Sequence, residues 1–528
     1  MHRLTSSLAV AAWALGASLT IGVWSAGTAT AATQVTVDSA SSTGGDCSQP
    51  GQCTLSAAMT RAGSMPGTSI VLPAGTFVVA APLVVPTSGV TISGAGASTI
   101  VSGARSSRLF EASGGAVTIA HMSLTEGFSD QSGGGAVFAT DTALALDDVI
   151  VSDNAASGDG GALGLVGGSL VVTSSTFERN YGQNGGAVST ANTAVSITSS
   201  SFSDNGASSS GGAAFISFPP TFTVSASTFS RNQAVTNGGA VSLEGVGDGG
   251  TVGVLDGSSL DGNSAAGLGG AVFVGTSPRS ASAGLDVTNS TFTGNEADAG
   301  GALALSDPPV TIDGSTFRSN ASEGSGGAIV SNTQLTVGGS TFEANTSGDS
   351  GGAIASSGIL SIIASGFVEN HAAGSGGAYL LIGELPTIAG TFSGNTADGA
   401  GPVAFWTGRI ALSISGVAPD DIYAPLVQAA SPPTTPTTVG PAATTVPAPV
   451  TTTPASAAVA ATTIPVTPVG RSGQTDSPPA PNVPLGGALP STGGNLAPAL
   501  RLGALVVLIG LGLLAAGRRR TRRSTVGT

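Results

Sequence analysis

The chain has 528 residues, of which 81 are glycine and 29 proline, and only 9% are charged. Helical bundles and α/β enzymes carry more charge and less glycine, and the glycines have no three-residue period, which excludes collagen. The net charge is −14, lysine is absent and no basic face is visible, so nucleic-acid binding is excluded as well.

Residues 1–31 read as a secretory signal peptide. His2 and Arg3 precede an apolar stretch over 8–23, and Ala29-Thr30-Ala31 supplies the small residues of a cleavage box. Two cysteines come next, Cys47 and Cys53. They are too few for a metal cage, and in an oxidising compartment one short-loop disulfide is the natural reading. Cys53-Thr54-Leu55-Ser56-Ala57-Ala58-Met59 reads as an amphipathic helix that plugs an open N-terminal end. It resembles the CSLREA-type element that opens many bacterial secreted β-helix proteins, with Ser56-Ala57-Ala58 departing from the usual Arg-Glu. The runs 70–77 and 90–96 are short strands of the same kind as those downstream.

The middle of the chain repeats. Gly-Gly-Ala-apolar places alanines at 136, 162, 187, 213, 240, 271, 302, 328, 353 and 378, mostly 25 to 27 residues apart. Each is followed by Phe-x-x-Asn, as in Phe177/Asn180, Phe317/Asn320 and Phe392/Asn395; Val151/Asn154 and Leu260/Asn263 replace the phenylalanine. An apolar residue stands seven before each Phe position, from Leu144 to Leu385, broken at Gly253. The unit predicts three short strands per coil, Gly-Gly-Ala-apolar, Leu-x-Val and Ser-Thr-Phe, with a turn at Asn. Glycine and β-branched residues argue against helical repeats. The expected fold is all-β, a right-handed parallel β-helix of the pectin-lyase-like solenoid class, with coils about 4.8 Å apart. Phenylalanines should stack inside, asparagines should link along the axis, and Gly-Gly should sit where the backbone needs positive φ or close approach.

Charges fall into the same columns. Arg179, Asp204 and Arg231 share one position and Arg318 and Glu343 another, which predicts ion pairs between coils. For an enzyme, the acids are scattered: Asp147-Asp148 should point apart on a strand, and Asp153 and Asp204 lie two coils apart. His121 and His371 are isolated. No catalytic residue, metal site or cofactor is expected. Two successive coils are longer, with spacings of 31, and their extra residues (245–250 and 275–284) should stack on one edge with Phe218-Pro219-Pro220. That edge, with Phe218, Asp248 and Arg279, is the expected ligand patch.

Residues 431–488 are a Pro/Thr-rich linker that cannot bury a core and should be extended. Leu489-Pro490-Ser491-Thr492-Gly493 is followed by an apolar segment over 496–517, long enough to span a bilayer, and a basic tail at 518–528. This trio resembles the LPxTG-type cell-wall sorting signal of Gram-positive surface proteins. The resemblance implies that a sortase cleaves between Thr492 and Gly493 and joins Thr492 to peptidoglycan. Residues 133–396 resemble the polymorphic outer-membrane protein repeats of chlamydial autotransporter adhesins, which implies a β-helical body that adheres to an extracellular protein or glycan.

The expected organisation is therefore a signal peptide (1–31), an N-terminal cap with its first coils (32–89), a parallel β-helix (90–430), the linker, the sorting motif (489–493) and the membrane segment. The chain is expected at the cell surface, anchored in the wall. The first expectation for its function is an adhesin or surface-interaction protein and not an enzyme. A polysaccharide lyase or hydrolase on the same scaffold and a structural coat protein are the alternatives.

Overall fold

The computed structural model describes residues 33–41, 44–130, 133–245, 253–275, 284–306, 308–382, 387–406 and 422–423. All of them fall in the first of two units, residues 1–434; the second, 435–528, lies outside them. The signal peptide, linker, sorting motif and membrane segment therefore lie outside the described residues. No helix among the described residues is long and apolar enough to cross a membrane.

The described chain forms the expected parallel β-helix, every ladder pairing parallel. The register repeats coil on coil: Leu285 pairs with Val310, Val310 with Leu335 and Leu335 with Leu360. Gly253 takes its place in this column opposite Leu285, so the missing side chain leaves the register intact. Coils begin at Gln34–Thr36, which pairs with Thr68–Val71.

The strand plan differs from the sequence reading in one respect. Leu-x-Val and Thr-Phe strands, such as Val310–Asp313 and Thr316–Arg318, belong to one large sheet bent at a corner. The Gly-Ala strands, such as Leu303–Leu305, form a second sheet. A third consists of two-residue strands after each Asn, such as Ala321–Ser322, which are too short to carry a sequence pattern.

Each coil turns at residues in the left-handed region. Between the two strands of the large sheet it is the residue three before Phe, such as Ser174, Ala226, Asn289 or Ala364. Before the Asn it is Arg179, Asp204, Arg231 or Ser319. The third is the first glycine of Gly-Gly-Ala, as at Gly300 with φ 63°. The second glycine does a different job: a Cβ on Gly301 would lie 2.2 Å from the Gly327 carbonyl oxygen of the next coil. The pair thus divides positive φ and close approach between its two members.

Inside, the repeat becomes columns. The alanines from Ala136 to Ala378 are fully buried. Phe292, Phe317, Phe342 and Phe367 stack with ring centroids 4.6 to 4.8 Å apart and planes within 4° of parallel. Leu260 separates this stack from Phe177, Phe202 and Phe229. The asparagines form an unbroken buried ladder from Asn154 to Asn395, each Oδ1 accepting the main-chain N–H and the Nδ2 of the preceding Asn. At the other corner the serines two before the Phe positions from Ser175 to Ser365 build a second ladder: Ser290 N–H donates to Ser315 Oγ and Ser315 N–H to Ser340 Oγ, both at 3.1 Å.

At the N-terminal end, helix α1 (Leu55–Gly63) buries Leu55, Ala58, Met59 and Ala62 against the first strands. Thr54 caps it, its Oγ1 accepting from Ala57 N–H at 3.1 Å. Cys47 and Cys53 are disulfide-bonded as expected, and Arg61 of the helix donates to the Cys47 carbonyl. Replacing both cysteines by alanine is expected to lower the cap's resistance to opening by about 2 kcal/mol. Hydrogen exchange should then quicken at the α1 amides while the coil amides stay protected.

Candidate functional site

The outer surfaces of the rod are chemically unequal. On the large sheet, the residue before each Phe position points outward, and the column reads Thr176, Ser201, Thr228, Ser259, Thr291, Thr316, Thr341. A solvated strand face is expected to look like this. The Gly-Ala sheet does not. Its outward column, two after each alanine, contains Phe138, Phe215, Phe273, Val330 and Leu380, all partly exposed. Small residues stand between them: Gly164 and Ser189 separate Phe138 from Phe215, and Ser242 separates Phe215 from Phe273. Ser242 is fully buried, and its hydroxyl has no hydrogen-bond partner.

Where two small residues stand in succession, the column opens into a groove of about 320 Å³. Phe138 and Phe215 bound it along the rod axis, three coils or roughly 14 Å apart. Gly164 and Ser189 form its floor. Asp159 and Gln183, on the corner leading into the sheet, form one side, and Val166, Ala191 and Ser217 the other. Asp159 accepts from the main-chain N–H and the Nδ2 of Asn184 at 3.1 and 3.0 Å. Phe138 is held from behind: the buried Arg108 guanidinium lies 4.9 Å from its ring centroid. Arg108 donates to the carbonyls of Gly133 and Gly134 and to Ser129 Oγ. Burial pulls its pKa down, opposed by Glu111 at 3.7 Å. Two more exposed aromatics, Phe128 and Tyr181, flank Ala155 on the short sheet nearby in the same coils.

Sequence reasoning missed this groove and Arg108. The signal was the residue between the two inward positions of each Gly-Ala strand, which becomes legible once the strand's inner face is assigned.

Of the expected ligand patch, Phe218 is described and Asp248 and Arg279 lie outside the described residues. Phe218 is half-buried with φ 50°, and its N–H donates to the Glu244 carbonyl at 2.8 Å. Its ring packs over Gly245, where a Cβ would meet it at 2.4 Å. Leu489, Pro490, Ser491, Thr492 and Gly493 also lie outside the described residues.

The charge columns pair as expected, though between particular partners. Arg231 grips Asp204 of the preceding coil with two hydrogen bonds, 2.8 and 2.7 Å. Arg179 reaches Asp153 and its neighbour Glu178, not Asp204. Arg318 meets Glu343 at 2.6 Å. These pairs are exposed, and such pairs contribute little to stability. Asp147 and Asp148 do not point apart as expected: Asp148 sits at the left-handed corner, φ 53°, which resets the alternation and leaves both side chains outside. There the Asp148 carboxylate meets His121 Nδ1 at 3.0 Å. His371 Nδ1 is 2.9 Å from Thr396 Oγ1. Among the described residues no three His, Cys, Asp or Glu side chains group as a metal site.

Glu244, outward at the end of a Gly-Ala strand, is half-buried, and burial raises its pKa above the usual carboxylate value. A raised carboxyl pKa means that stability is full below the unfolded value and falls as pH rises through the folded one. Glu244→Gln, always uncharged, is therefore expected to be more stable than the native chain at pH 7. The gap should close below about pH 4, and thermal melts of both proteins at the two pH values check it.

The fold and surface thus define a parallel β-helical repeat protein. No family model matches the chain, and no curated protein matches it in sequence. Among solved structures it is similar to the A-module of Azotobacter vinelandii mannuronan C-5 epimerase AlgE6, at 14% identity over 65% of this chain and 94% of that one, with a TM-score of 0.29. It is also similar to the catalytic domain of a GH87 alpha-1,3-glucanase in complex with tetrasaccharides, at 9% identity over 75% of this chain and 68% of that one, with a TM-score of 0.32. Neither likeness bears on the chemistry of this chain.

Proposed function

We propose that this chain is a surface-interaction protein, an adhesin in the broad sense, whose β-helical body binds an extracellular ligand through its lateral face. The observation that supports this is the apolar column on the outside of the Gly-Ala sheet. Large apolar side chains that recur, partly exposed, along one outer face mark interaction surfaces on soluble proteins. In the same proposal, residues 1–31 export the chain and residues 431–488 hold the body away from the wall. Sortase then joins Thr492 to peptidoglycan. Arraying the purified full-length chain against matrix proteins and wall and host glycans tests the binding; retention on none of them overturns it. Mass spectrometry of muropeptides released from producing cells tests the anchor, which requires a peptide ending at Thr492.

A polysaccharide-active enzyme is the second reading, and Glu244 is the observation that favours it: a carboxyl held protonated more readily than usual, on the same face as Phe215 and Phe273. Incubation with uronates and glucans, with and without Ca²⁺, separates the two readings. Products that vanish in Glu244→Gln decide for the enzyme.

A further inference from the structure

We propose that the groove between Phe138 and Phe215 is a subsite for a neutral pyranose oligosaccharide, an inference that rests on the surface-binding reading and names its ligand class. A sugar ring presents an apolar face of C–H groups and a polar edge of hydroxyls. The groove presents the complement of both. Phe138 and Phe215 offer partly exposed rings at its two ends, and the Arg108 guanidinium lies 4.9 Å from the Phe138 ring centroid. Between them the floor is low because Gly164 has no side chain and Ser189 a small one.

Polar groups stand along the corner side. Gln183 is exposed and supplies an amide that donates and accepts, and the Asp159 carboxylate accepts. Such a mixture of aromatic walls and a few placed polar groups is typical of small-ligand sites, and the volume falls at the lower end of their usual range of about 300–1,000 Å³. Phe138 and Phe215 stand three coils or roughly 14 Å apart, a span longer than one pyranose ring, so an oligosaccharide and not a single sugar reaches both.

Charge selects among glycans. Among the described residues, Asp159 is the one ionisable side chain lining the groove, and no arginine lines it. The body as a whole is acidic, with 8 arginines against 29 acidic residues over positions 32–431. A polyuronate would bring its carboxylates against this field with no cation to receive them. A neutral chain incurs no such repulsion. Arg108 does not change this, since its guanidinium is buried behind Phe138 and committed to main-chain carbonyls.

The test is isothermal titration of the full-length chain with cellohexaose, chitohexaose and a hexagalacturonate. At least one neutral hexaose is expected to bind and the hexagalacturonate not. Phe138→Ala and Phe215→Ala are each expected to weaken neutral binding about tenfold, and Gln183→Ala, on an exposed side chain, severalfold, with circular dichroism and thermal midpoint unchanged for Gln183→Ala. Neutral binding that survives in all three variants, or preference for the hexagalacturonate, overturns the inference. If no hexaose binds while the array captures a protein ligand, the subsite falls and the surface-binding reading stands. If neither binds, both fall.

Discussion

Gly301→Ala is expected to cost at least about 4 kcal/mol or to prevent the rod from folding. Its new Cβ would stand 2.2 Å from the Gly327 carbonyl oxygen and 2.4 Å from that of Ala321. Both are main-chain atoms of the following coil, which cannot rotate away as a side chain does. Relief requires the coils to part, and parting breaks the Gly301 N–H bond to Gly326 and the Ala302 N–H bond to Ala328. Gly257→Ala is the control. Gly257 also has positive φ, at 54°, but a Cβ there meets nothing. Ala226 and Ala364 occupy the same corner in other coils at φ 48° and 52°, so the cost should be no more than about 1 kcal/mol. Urea unfolding of the two variants compares them. Equal losses would show that close approach of the next coil does not dictate the second glycine of the pair.

The second large effect is expected at the asparagine ladder. Asn320 Oδ1 accepts from the N–H and Nδ2 of Asn295 at 3.0 and 2.9 Å, and its Nδ2 donates to the Phe292 carbonyl and to Asn345 Oδ1. Asn320→Ala strands two donors of Asn295 in a region no water reaches, since both residues are fully buried. Each unsatisfied buried group costs roughly 1–3 kcal/mol, so a loss of about 3–5 kcal/mol is expected from denaturant titration. Asn395, at the last rung, accepts the same two bonds from Asn370 and donates to the Phe367 carbonyl, but no further Asn follows it, and it is 7% exposed where Asn320 is 0%. Water can replace its side chain there, and Asn395→Ala should cost clearly less.

Most of the scaffold was legible because its period is written in residue types. Phe, Asn, Ala and the apolar position before them recur at a fixed interval, and parallel stacking turns each interval into a column. The disulfide and the capping helix were legible too, from two cysteines and a Thr-led amphipathic run. The short sheet was not, because two-residue strands carry no periodicity. Neither was the groove. Its column reads Phe138, Gly164, Ser189, Phe215, Ser242, Phe273, and a position that changes from coil to coil gives no repeat signal. Asp148 was misjudged for a related reason. A residue with positive φ inside an apparently continuous strand shifts every following side chain to the other face, and nothing in the letters Asp147-Asp148 announces the turn.

The main-chain bonds joining one coil to the next run along the axis of the rod. A tether pulling along that axis therefore loads the terminal coil alone, peeling it like a zipper rather than shearing all coils together. Each coil released lengthens the chain by roughly 8–9 nm, since about 25 residues extend at 3.3–3.6 Å each. A rod of this design is expected to yield under tension coil by coil, in steps that follow the lengths of its coils, longer at the two with spacings of 31 residues.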